Sequence, residues 1–131
     1  MAALKNNEKV VYPELSYKII GILFDVYNEL GPGYREKHYE EAVARVIDEC
    51  GIKYKRQLKI PVMFKERDIG KDFLDFLIED KIVLELKKGD NLSRKHIEQI
   101  YEYLKLTGLK LGIIAHFSSK ELRYKRVLNI K

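Results

Sequence analysis

The hydrophobic period of this chain changes at Gly51, and that change limits the folds open to it more than any other feature. Before it, apolar residues recur at three- and four-residue steps, the spacing of amphipathic helices. Leu15, Ile19, Ile22, Leu23, Val26, Tyr27 and Leu30 make one stripe, opened by Pro13-Glu14 and stopped by Gly31-Pro32-Gly33. Tyr39, Ala42, Val43, Val46 and Ile47 make a second, over about residues 34–49. After Gly51 the pattern becomes that of strands, at residues 54–64, 73–78 and 82–87, with a turn at 65–68 and a tight loop at Glu79-Asp80-Lys81. Ser93 is a good N-cap for a third helix running to about Leu106, with Ile97, Ile100, Tyr101 and Leu104 inward and Gly108 as its stop. Residues 111–117 are continuously apolar, as suits a strand buried on both faces beside a parallel neighbour. Residues 124–130 read as a short last strand.

This order predicts an α/β domain with a mixed central sheet flanked by helices. An antiparallel meander supplies its first three strands, and a parallel β-α-β crossover links 82–87 to 111–117. With 131 residues the chain is expected to form a single domain over 13–131, preceded by a polar, flexible arm at 1–12.

The meander also carries chemistry. With a three-residue loop at 79–81, Ile78 faces Ile82 and Asp75 falls opposite Glu85. Lys87 then shares their face, because strand side chains repeat every two residues. A two-residue loop would turn Glu85 to the other side. Two carboxylates in contact are unfavourable unless a cation lies between them. Mg²⁺ or Mn²⁺ would satisfy both, with the Leu86 carbonyl as a further ligand from the same strand. Lys87 would stabilise charge on a phosphate, or position and deprotonate an attacking water. The bland alternative is a cross-strand salt bridge on a solvated face.

Asp75 followed by Glu85-Leu86-Lys87 resembles the PD-(D/E)XK nuclease superfamily, whose restriction-endonuclease-like core has a similar order of elements. Gln99 and Tyr103, at i,i+4 spacing, resemble the QxxxY motif of RecB-like members. Gly33-Tyr34-Arg35-Glu36-Lys37-His38-Tyr39 resembles the signature of the GxxExxY protein family within that superfamily. The resemblance implies a metal-dependent nuclease with Asp75, Glu85 and Glu36 at the metal, Lys87 as the catalytic lysine, and Gln99 and Tyr103 lining the site or holding nucleic acid. Tyr39 is expected to pack rather than react. Leu74 stands where the superfamily's name has proline. His116-Phe117 stands where close relatives are expected to have Asn-Phe, and His116 reads as a hydrogen-bonded core residue or a site-edge group.

Lys+Arg exceed Asp+Glu by 25 to 20, a net charge of +5 that suits a polyanionic partner. Basic residues cluster at Lys53, Lys55, Arg56 and Lys59, at Arg94 and Lys95, and at Arg123, Lys125 and Arg126, with Tyr54, Tyr101 and Tyr124 interspersed. A groove collecting them would neutralise phosphates without reading sequence. DNA is favoured over RNA as substrate. The alternative is a non-catalytic module that keeps the nuclease fold to bind nucleic acid or protein. A homodimer or a partner protein would supply the surface a small domain lacks, with Ile20 and Phe24 as the contact. The single Cys50 reads as a small core residue in a reducing compartment. No signal-peptide pattern and no apolar run of membrane-spanning length occurs, so a soluble, cytoplasmic protein is expected.

Overall fold

A computed structural model describes residues 11–130. Most of the expected arm at 1–12 therefore lies outside the described residues. Its last two, Val11 and Tyr12, are not loose: they pack against the core. Helix α1 (Pro13–Leu30) carries proline in its first turn and ends at Gly31, whose N–H donates to the Tyr27 carbonyl at 2.7 Å. Helix α2 (Glu36–Glu49) begins two residues later than its stripe suggested. The delay comes from the Gly31–Tyr34 segment, which Tyr39 ties down. Its hydroxyl donates to the Gly31 carbonyl at 2.6 Å and accepts from the Tyr34 N–H at 3.3 Å. The Tyr39 ring stacks on Phe117 at 4.1 Å and is wholly buried, so it is a packing residue as expected. Gly33 sits in this segment at φ +98°, where a side chain would be strained.

Five strands form one sheet in the order β1 (Tyr54–Lys59), β4 (Phe73–Ile78), β5 (Ile82–Lys88), β6 (Leu111–Phe117) and β7 (Leu122–Leu128). Only the β5–β6 pair is parallel, joined through helix α3 (Arg94–Thr107), and the other pairs are antiparallel. The mixed sheet flanked by helices is thus as the periodicities required. Ser93 caps α3, its hydroxyl accepting from the Lys95 N–H at 3.2 Å. Helices α1 and α2 cover one face through Ile19, Leu23, Val43 and Ile47 against Phe76, Leu84, Leu86 and Ile113. Helix α3 covers the other through Ile100 and Leu104 against Val83, Ile114 and Val127. β6 lies between the two layers and every residue in it is buried.

Three expectations need correcting. The single strand over 54–64 is broken after Lys59 by Ile60-Pro61, proline having no N–H for a ladder. Past the break the chain forms a separate two-stranded hairpin, β2 (Met63–Phe64) against β3 (Arg67–Asp68), turning through Lys65 and Glu66. Cys50 is exposed at the C-cap of α2 instead of lying in the core. Ile20 is buried, leaving Phe24 as the exposed one of the two α1 residues expected to make a contact.

Candidate active site

The loop Glu79-Asp80-Lys81 has three residues and leaves Ile78 opposite Ile82, the register that brings Asp75 and Glu85 together. Both Glu79 and Asp80 adopt left-handed φ values, and the Lys81 N–H closes the turn on the Ile78 carbonyl at 2.9 Å. The β4–β5 ladder runs only as far as Phe76 opposite Leu84. Beyond it the carboxylates replace it. The Asp75 N–H donates to Glu85 Oε1 at 2.9 Å, and the Leu86 N–H donates to Asp75 Oδ2 at 2.8 Å.

The strands open here because β4 changes face at Asp75. Residues two apart on a strand normally share a face. Phe76 and Ile78 join the core under α1 and α2, yet Leu74 joins the core under α3. Across the β1–β4 pair, the residue opposite Asp75 is Gln57, held at φ +57°. β1 reverses with its neighbour: Tyr54 packs on the α1/α2 side and Leu58 on the α3 side.

Glu85 is only 5% exposed. Lys87 lies beside it, Nζ to Oε2 3.1 Å. Burial raises the Asp75 pKa, and the Glu85 charge raises it further, to about 8. Burial likewise raises Glu85, against the pull of Lys87. For Lys87, burial works against the charge, but Glu85, Glu36 and Asp75 outweigh it and the pKa rises. The ammonium therefore stays charged at neutral pH in the metal-free protein.

Glu36 stands at the start of α2, where its Oε2 accepts from the Lys88 N–H at 3.2 Å. Its charge acts on Lys87 and on two histidines, His96 of α3 and His116 of β6. The carboxylate of α2 that acts on Asp75 is instead Glu40, one turn further on. Glu40 accepts from Arg56 Nη2 at 2.6 Å and from Gln57 Nε2 at 2.9 Å. Its i,i+4 spacing from Glu36 was the signal that could have revealed it. Gln99 donates to Asp72 Oδ2 at 3.2 Å, just before β4, and Tyr103 lines a groove with Ile60, Pro61, Met63 and Leu106. Neither hydrogen-bonds Asp75, Glu85 or Lys87 among the described residues.

His116 pairs in register with Lys87 and is 4% exposed. Neither of its ring nitrogens makes a well-aligned hydrogen bond, nor does Nδ1 of His96, although the Gly89 backbone lies close enough to His116 to favour its charged form. Burial lowers the pKa of both histidines, so they are neutral at physiological pH.

Among the described residues no three His, Cys, Asp or Glu side chains form a ready-made metal cage. The donor set nevertheless fits a small hard cation. Mg²⁺ keeps several waters and binds through one or two carboxylates, and Asp75 and Glu85 are two buried carboxylates whose mutual repulsion such an ion would relieve.

A model of the PD-(D/E)XK nuclease superfamily matches residues 13–127. No curated protein matches the sequence. Among solved structures, the crystal structure of SSO0001 superposes with a TM-score of 0.53 at 17% identity, over 73% of this chain and 51% of that one. An alkaline exonuclease from Laribacter hongkongensis superposes with a TM-score of 0.50 at 12% identity, over 93% of this chain and 72% of that one. At these identities the likeness is one of fold. The chain spans about half the length of the first of these structures. No helix among the described residues is long and apolar enough to cross a membrane.

Proposed function

The chain belongs to the PD-(D/E)XK nuclease superfamily, and from that premise we propose that it is a divalent-metal-dependent nuclease hydrolysing phosphodiester bonds, with DNA the favoured substrate. The observation that carries this reading is the pair of buried carboxylates at the fork of β4 and β5, with a charged lysine 3.1 Å from one of them. A surface salt bridge needs no second buried acid beside it, and the single charge of Lys87 does not offset two buried carboxylates.

Asp75 and Glu85 would hold Mg²⁺ or Mn²⁺, with the Leu86 carbonyl and Glu36 as further oxygen donors. When bound, the ion supplies Lewis-acid polarisation of a phosphate oxygen and lowers the pKa of a coordinated water. Lys87 keeps its proton and points its charge to where the phosphate gains negative charge, as an electrostatic stabiliser. Gln99, set by its bond to Asp72, and Tyr103 line the approach to the site. Within the superfamily, Gly33, Glu36 and Tyr39 support assignment to the GxxExxY family. Tyr39 fixes the turn that delivers Glu36 to the end of β5.

The test is cleavage of plasmid, single-stranded DNA and RNA with Mg²⁺, Mn²⁺ or EDTA, run beside Lys87→Ala. Cutting that needs the metal and falls roughly 10²- to 10³-fold in the variant, the size of effect of removing one electrostatic stabiliser, is the expected result. Binding without cutting by folded protein would replace this reading with that of a non-catalytic nucleic-acid module.

A further inference from the structure

The β2–β3 hairpin exposes apolar side chains that a soluble domain normally hides. Both of its strands are exposed throughout. Val62, Met63, Phe64, Ile69 and Phe73 are all large and open to solvent, with Met63 at 62% and Phe64 at 57%. Of these, Met63 faces Leu106 of α3, itself 65% exposed, across a groove of about 750 Å³ that Tyr103 helps to line. An isolated two-stranded ribbon is marginal in water, yet this one is locked at its base. Asp68 Oδ1 accepts from the Val62 N–H at 3.1 Å and the Gly70 N–H at 2.9 Å. The Ile69 N–H donates to the Val62 carbonyl at 2.8 Å. The backbone closes so tightly on Gly70 that a Cβ there would stand 2.4 Å from the Ile60 carbonyl oxygen. At the tip, Lys65 and Glu66 hold left-handed φ values of 48° and 67° without glycine, a strained turn.

Residues 62–73 carry three cations, Lys65, Arg67 and Lys71, and three anions, Glu66, Asp68 and Asp72, but two of the anions are engaged within the chain. Asp68 is taken up by two backbone N–H groups and Lys59, and Asp72 by Gln99. Among the described residues Lys65, Arg67 and Lys71 have no carboxylate within salt-bridge distance. Lys65 instead lies over the Phe64 ring, Nζ 5.5 Å from its centroid. An aromatic ring with free cations beside it, on a rigid ribbon, is what a base-stacking or strand-opening wedge requires. The hairpin is continuous with the strand that carries the site: its second arm leads into β4 at Phe73, two residues before Asp75.

We propose that the β2–β3 hairpin, with Phe64 beside its tip, is a nucleic-acid wedge that unstacks bases of the nucleic acid on which the Asp75/Glu85 site acts. The proposal rests on the nuclease reading for its substrate but is measured separately, by binding without cleavage. Full-length Lys87→Ala protein is titrated, in Ca²⁺, with fluorescent duplex and single-stranded oligonucleotides, and with a duplex carrying 2-aminopurine. Phe64→Ala in this background is expected to weaken binding about tenfold and to remove the rise in 2-aminopurine emission. Phe64→Trp, which keeps a stacking face, retains both. Sedimentation of each variant reports its oligomeric state.

Binding and emission unchanged in Phe64→Ala would overturn the wedge, as would the absence of any nucleic-acid binding. A wild-type dimer that Phe64→Ala dissociates, with binding per chain unaltered, would assign the hairpin to a second copy of the chain instead. If wild-type protein cuts nothing but binds through Phe64, the nuclease reading fails while the wedge stands. If it cuts and Phe64→Ala binds as before, only the wedge fails.

Discussion

Burial and the nearby Glu85 raise the Asp75 pKa to about 8, so the Asp75/Glu85 pair retains a proton near neutral pH in the metal-free protein. A carboxyl with a folded pKa above its ordinary 3.8 binds its proton more tightly when folded. Stability is therefore full below about pH 4 and falls as the pH rises towards 8. Asp75→Asn removes that titration and keeps an oxygen for the Leu86 N–H. In EDTA, thermal melts should show the variant gaining on wild type as pH rises, from near zero at pH 4 to at least about 1 kcal/mol at pH 8, a few degrees in Tm. An equal gap at both pH values would mean that the two acids do not share a buried site. His116 carries the opposite sign. Burial lowers its pKa, so the stability it confers is present above its ordinary 6.5 and is lost as the pH falls below that value. His116→Leu removes that titration, so melts should show the variant gaining on wild type as the pH falls from 7.5 to 5. The meeting of Asp75 with Glu85 was legible because loop length fixes register. Glu40 had a local signal in its i,i+4 spacing from Glu36, but its action on Asp75 depends on how α2 settles on the sheet.

Elements were legible where one residue type forces the outcome. Pro13, Gly31 and Gly108 mark helix ends through backbone chemistry and Ser93 through its hydroxyl cap, and the structure begins or ends α1 and α3 there within a residue. The strand over 54–64 misread a signal that was present: Pro61 cannot extend a ladder, and the apolar residues after it belong to a hairpin, where exposure and burial have the same local pattern. The face change at Gln57 had no signal, because a glutamine at positive φ is chosen by its neighbours and not by its own propensity. Layer packing offers a sharper test. A Cβ on Gly112 of β6 would stand 2.5 Å from Cγ2 of the fully buried Ile100 on α3. Gly112→Ala should cost about 1–3 kcal/mol in denaturant melts through overpacking. Combined with Ile100→Ala, which vacates that space, the two losses should be less than additive. Strict additivity would mean that α3 does not close on β6 at this point.

At the scale of the whole molecule, the sheet order separates charges that the sequence brings to mind together. β1 and β7 are opposite edges, four strand spacings or about 19 Å apart. The basic residues of residues 53–59 and 123–126 therefore do not line one groove. Several are also engaged within the chain: Lys55 with Asp80, Arg56 with Glu40 and Glu41, Lys59 with Asp68, and Arg123 with Glu121. A cation already paired releases little when a phosphate arrives, so the net charge overstates the electrostatic footprint. Binding should accordingly lose affinity with salt at a log–log slope of only about −3 to −4, near 10²-fold between 50 and 200 mM. Removing a free cation and removing a paired one should then give different signatures. Lys71→Ala should make the slope shallower by about one phosphate contact and leave the melting temperature alone. Arg56→Ala should leave the slope unchanged and destabilise the fold by about 1–3 kcal/mol, since it strips the partly buried Glu40 of its partner beside Asp75. Anisotropy titrations across salt, with melts of the same samples, separate the two. A slope change of one unit in Arg56→Ala at wild-type stability would place β1 on the nucleic acid after all.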